Sequence, residues 1–103
     1  MINEFLSIEI RNDLIKIIQI VISELEWELS IRTGYYENEY KALIKKLSFN
    51  NSEIFFSGDE FSMMHQALNE FYNGFDNYKW EDEVLMNKTA GEGLMNKIKV
   101  LIK

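Results

Sequence analysis

The chain has no cysteine and no proline, and it carries a single histidine. Without cysteine there are no disulfides, thiolate metal sites or thiol nucleophiles, and the composition suits a reducing compartment, so the expectation is a cytoplasmic protein. Without proline, long helices meet no covalent interruption. Positive charge is in the minority: eleven Lys and Arg face seventeen Asp and Glu, and the formal charge of −6 repels a phosphate backbone and argues against direct nucleic-acid binding. Long apolar runs are missing too. A stretch such as Ile20-Val21-Ile22 is far too short to cross a bilayer, and Glu4 and Glu9 break up the N-terminal residues that a cleaved signal peptide would need.

What is present is apolar and aromatic. At 47% hydrophobic and 14% aromatic residues, the 103-residue chain is too apolar to stay disordered and reads as one domain, 1–103, able to fold alone. Its residue classes recur. Leu14, Ile17, Ile18, Val21 and Leu25 lead to Glu26-Trp27-Glu28 and then to Tyr40, Leu43, Ile44 and Leu47. Later, Phe61, Met64, Leu68 and Phe71 lead to Trp80-Glu81-Asp82-Glu83 and then to Leu94, Ile98 and Leu101. The two Trp residues stand 53 apart, and the pattern defines repeat halves at 6–48 and 56–103.

Apolar residues at three-and-four spacing predict a helix from Asn12 to Ile31, ended by Gly34. A second helix spans Glu37 to Leu47, with Glu37 and Glu39 at its start and Lys45 and Lys46 at its end, the order that complements the helix dipole. Residues 48–52 read as a loop, and Ile54-Phe55-Phe56 as a segment packed down between the halves. Ser57-Gly58-Asp59-Glu60 has the form of a capping box and predicts a helix start, with Asn73-Gly74 as its end. A short helix follows from Tyr78 to Asn87. Thr89-Ala90-Gly91-Glu92, a second capping-box pattern, then opens a last helix from Ala90 to Ile102. The fold class is all-α: a bundle of four to five helices, organised as two degenerate helical-hairpin repeats if the pattern is a duplication.

Catalytic patterns are not found. His65 has Met63, Met64, Gln66 and Asn69 around it, with no orienting carboxylate or nucleophile in helical reach. Within Glu24, Glu26 and Glu28, or Glu81, Asp82 and Glu83, residues one and two apart do not share a helix face, and Glu24 and Glu28, four apart, supply only two carboxylates, so no metal is predicted. Gly91 and Gly93 lack the strand and the further Gly or Lys of a phosphate loop, and Lys41, Lys45 and Lys46 form at most a small solvated face. The sequence calls for no cofactor and no catalytic residue. The surface feature that stands out is the mixture of acidic and aromatic residues around the two Trp positions. Tyr and Trp anchor interfaces and carboxylates pair with a basic partner; the competing reading is that each Trp covers the core of its own half.

Glu26-Trp27-Glu28-Leu29-Ser30-Ile31-Arg32-Thr33-Gly34-Tyr35, followed by Glu39 and Leu43, resembles the acidic-aromatic-acidic, Arg-x-Gly hinge of small helical immunity proteins that accompany polymorphic and contact-dependent bacterial toxins. Ala67-Leu68-Asn69-Glu70-Phe71-Tyr72-Asn73-Gly74 resembles the helix and turn preceding that hinge. The first half lacks the Ala-Leu-Asn-Glu and Gly parts, and the second lacks Arg-x-Gly. The resemblance implies an immunity protein, a non-enzymatic inhibitor that binds and neutralises a cognate toxin domain, often a basic nuclease. The partner-binding residues it points to are Glu26, Trp27, Glu28, Tyr35, Asp76, Trp80, Glu81 and Asp82. Two other classes stay open: a phage-type inhibitor such as an anti-CRISPR or nucleic-acid mimic, and a structural subunit that forms a homo-oligomer through the Ile-rich helix.

Overall fold

The computed structural model describes residues 6–49, 54–74 and 77–102, the last stretch without side chains at 77–79. Ser7 sets the first boundary. Its hydroxyl accepts the Ile10 N–H at 3.2 Å, and helix α1 runs Ile8–Leu25. The helix therefore starts ahead of Asn12, because a capping side chain, and not the first core residue, satisfies the free N–H groups.

Helix α1 also ends sooner than the spacing predicts. Glu26 takes φ 51° and ψ −122°, a region that favours glycine, and a 3-10 turn over Glu26–Glu28 leads into α2, Leu29–Thr33. Packing accounts for the break. It turns Leu29 and Thr33 inward, where both are buried, and the Thr33 hydroxyl donates to the Leu29 carbonyl at 2.7 Å. Gly34, at φ 87°, closes α2 in the left-handed conformation, its N–H bonded to the Ser30 carbonyl at 2.9 Å.

Helix α3, Glu37–Leu47, has the predicted limits, and the Glu39 carboxylate reaches back to accept the Tyr36 N–H at 2.8 Å. Helix α4, Gly58–Gly74, opens on the predicted capping box: Ser57 N–H donates to Glu60 Oε1 at 2.8 Å, and Glu60 N–H donates to Ser57 Oγ at 3.1 Å. Ahead of it Phe56 is buried edge-on against Phe61, with Lys46 Nζ 5.0 Å from its ring, while Phe55 faces solvent. Helix α5 spans Asn77–Glu83 and α6 spans Lys88–Lys99. Thr89 does not cap α6. Asn87 does, its side-chain Oδ1 accepting the Ala90 N–H at 2.8 Å, and Glu92 instead meets the Tyr72 hydroxyl at 3.4 Å. Asn is at least as good a cap as Thr, and its position upstream adds a half-turn to the helix.

The result is an all-α bundle with no strand among the described residues. Helix α4 lies between α1 and α6, α3 covers α1, and α2 touches α4. Each half runs long helix, short helix, medium helix. Two buried charges fasten the N-terminal end. Arg11 donates to the Leu6 carbonyl at 2.9 Å and the Phe49 carbonyl at 3.1 Å. Asp13 accepts the Leu85 and Met86 N–H groups, each at 3.0 Å, and so ties α1 to the turn after α5.

Trp80 fills the space between α4 and α6. It is fully buried, with Phe71 edge-on at 4.7 Å and Tyr72 at 6.4 Å between ring centroids. Its seat is Gly91, the fourth residue of α6: a Cβ there would overlap the indole, with Cζ3 only 2.5 Å away. Gly91→Ala therefore lowers stability by about 1–3 kcal/mol through overpacking. Gly93→Ala, where nothing lies within 4 Å, raises it by up to about 1 kcal/mol through helix propensity. Urea melts of the two variants check the contrast. The same assay with Asp13→Ala shows a loss of about 2 kcal/mol, since two backbone donors lose a charged acceptor.

Candidate docking surface at the hinge

Residues Glu26–Thr33 form a continuous helical run with two unlike faces. Leu29 and Thr33, four apart, point inward. Trp27 and Ile31, also four apart and so neighbours on one face, are 75% and 73% exposed. Glu28 and Arg32 show the same spacing as a 3.9 Å ion pair. Arg32 Nε also donates to Glu70 on α4 at 2.9 Å, which pins the short helix to the bundle. Two large apolar side chains held out on a fixed element make an unusual surface, since burying either would be worth about 2 kcal/mol.

The backbone at Glu26 holds them there. A side chain at φ 51°, ψ −122° costs about 1–3 kcal/mol, a cost the surrounding packing must offset. Continuing α1 as a regular helix would carry Leu29 and Thr33 along the α1 axis, away from the positions where they are now buried. The strained residue thus redirects the run on which the inward pair and the outward pair alternate.

The remaining predicted contacts are distributed differently. Glu26 is exposed beside Trp27, and Glu28 is partly exposed and shared with Arg32. Tyr35 belongs to the core margin, its ring edge-on to buried Tyr40 at 6.1 Å. Trp80 is a correction to the sequence reading: with 0% exposure it is a core residue and offers no surface to a partner. Glu81 and Asp82 are exposed on α5 and line a shallow groove of about 360 Å³ with Asp13, Lys16, Glu83 and Leu85. A neighbouring groove of about 310 Å³ shares Lys16 and Glu83 and adds Glu24, so carboxylates of the two halves meet along α1. Asp76 lies outside the described residues. Tyr36, part of the acidic and aromatic mixture, is exposed; Ile31 and Leu85 are also exposed and were not singled out by the sequence, although an Ile two positions from inward Leu29 is the pattern of an outward apolar residue.

The titratable groups serve packing. Burial raises the Tyr40 phenol far above its ordinary value despite a hydrogen bond with Thr33, and its hydroxyl donates to the Met63 carbonyl at 3.0 Å. Burial, and then the charge of Lys99, push the His65 imidazole below its usual range. Burial alone would raise the Glu60 carboxyl, but hydrogen bonds from Lys46 and Ser57 outweigh it and hold the group below the usual carboxylate range. Among the described residues, no three His, Asp or Glu side chains converge to hold a metal ion, and no helix is long and apolar enough to cross a membrane. No family model, curated protein or solved structure matches the chain.

Relief of the hinge backbone is measurable. Glu26→Gly raises the denaturation midpoint by the equivalent of roughly 1 kcal/mol, because strain relief exceeds the added chain entropy. Glu26→Val lowers it, since a β-branched side chain tolerates positive φ least.

Proposed function

We propose that this chain is an immunity protein, a stoichiometric inhibitor that binds the toxic domain of a cognate effector and blocks its active or substrate-binding surface. The observation that carries this reading is the exposed Trp27 and Ile31 pair on a strained acidic hinge, within the segment that resembles the hinge of such proteins. Burial of Leu29 and Thr33 offsets the strain at Glu26, but the exposed indole and Ile31 add nothing to the free domain, whereas a domain bound to a partner gains an interface anchor. The net charge of −6 speeds encounter with a cationic partner through electrostatic steering, and nuclease toxins, which must bind phosphate, present such surfaces. The carboxylates along the α1–α5 groove give a nucleic-acid mimic as the second reading. Mimicry, however, leaves the apolar hinge without a role.

The test is co-purification of the tagged chain from its native cells, followed by assay of whatever is bound. Recovery of one basic protein in equal amounts, with a degradative activity that appears only after the complex is separated, is the expected result. Recovery of a large nucleic-acid-processing complex would favour the mimic. Recovery of the chain alone as a stable oligomer would contradict both.

A further inference from the structure

Resting on that reading, we infer that the partner is held through the first-half hinge alone, with Trp27 inserted in an apolar pocket whose rim carries Lys or Arg. Three observations lead there. The apolar pair is large and unpartnered: Trp27 and Ile31 share the outward face of a helical run that Arg32 locks to α4 through Glu70. Such a rigid aromatic on an ordered element loses little entropy on insertion, which is what makes Trp the commonest hot-spot residue.

Charge selects the rim. Arg32, the cation nearest in sequence, is already engaged with Glu70 and Glu28, and among the described residues the Glu26 carboxylate has no ion-pair or hydrogen-bond partner. The charge left beside the indole is therefore negative. A second copy of the chain would set Glu26 against Glu26 across a two-fold axis, with −6 on each protomer, so the hinge disfavours self-association. A protein pocket edged by Lys or Arg satisfies both the indole and the carboxylate.

The second half cannot supply an equivalent contact. Its Trp80 lies in the core against Gly91, and the fourth residue of α3, at the place of Gly91 in α6, is the buried Tyr40. The first half has its aromatic core filled by Tyr40 and leaves Trp27 outside; the second half lacks that ring and draws its Trp in. Contact is accordingly single-sited and one-to-one.

Site-specific photo-crosslinking in the native cells decides the matter, with p-benzoylphenylalanine in place of Trp27 or, as control, of Leu85. Leu85 is even more exposed, at 84%, and sits by Asp13, roughly 18 Å along α1 from the hinge. The expected result is a single adduct from position 27, absent from position 85, mapping to a partner peptide with neighbouring Lys or Arg. With that partner purified, Trp27→Ala weakens binding by about 30-fold or more, the level of a hot spot. Glu26→Lys weakens it by about tenfold, more so at low salt, whereas Glu81→Lys changes it by less than about twofold. Thermal melts confirm that each variant is folded. An adduct from position 85 only, an adduct to a second copy, or a co-purifying toxin that Trp27→Ala does not release would overturn the inference while leaving or removing the immunity reading on its own evidence. Absence of any co-purifying protein would remove both.

Discussion

The contact between Trp80 and Gly91 constrains how the second half of this molecule packs. An indole is the largest side chain a small core must accommodate, and it fits here only because α6 offers a position with no Cβ. Through that seat α5 is held against the pair α4 and α6, and Phe71 and Tyr72 complete the enclosure. The indole Nε1–H finds no acceptor among the described residues, so the contribution of Trp80 shown by the structure is its buried apolar area and ring packing. With Trp80 consumed in this way, the only tryptophan available to the outside is Trp27.

The hinge follows from a second conflict between local and global preference. Local periodicity favours one helix through residue 31, while the core needs Leu29 and Thr33 turned in toward α4. The chain resolves this at a single residue, Glu26, whose backbone takes the strain. Arg32 and Glu70 then make the arrangement rigid, which is what an anchor residue requires.

Much of the fold is legible in the residues because its signals are local. The limits of α3 are marked by charge order, the start of α4 by Ser57 and Glu60, and the end of α2 by Gly34. The break at Glu26 carries no glycine or proline and arises from packing between residues distant in sequence, which periodicity does not report. The same holds for the two tryptophans. Their acidic surroundings look alike, yet one lies in the core and the other in water, and the seat that takes Trp80 is Gly91 on the helix downstream. The role of Asp13, joined to residues 85 and 86, was likewise invisible to any short window.

The two tryptophans occupy unequal environments, one exposed and one buried, and fluorine NMR of protein labelled with 5-fluorotryptophan measures them directly. Two resonances are expected, assigned by Trp27→Phe and Trp80→Phe: the Trp27 signal shifts between H₂O and D₂O and broadens with a soluble paramagnetic agent, while the Trp80 signal does neither. Two solvent-responsive signals, or two silent ones, would contradict that difference.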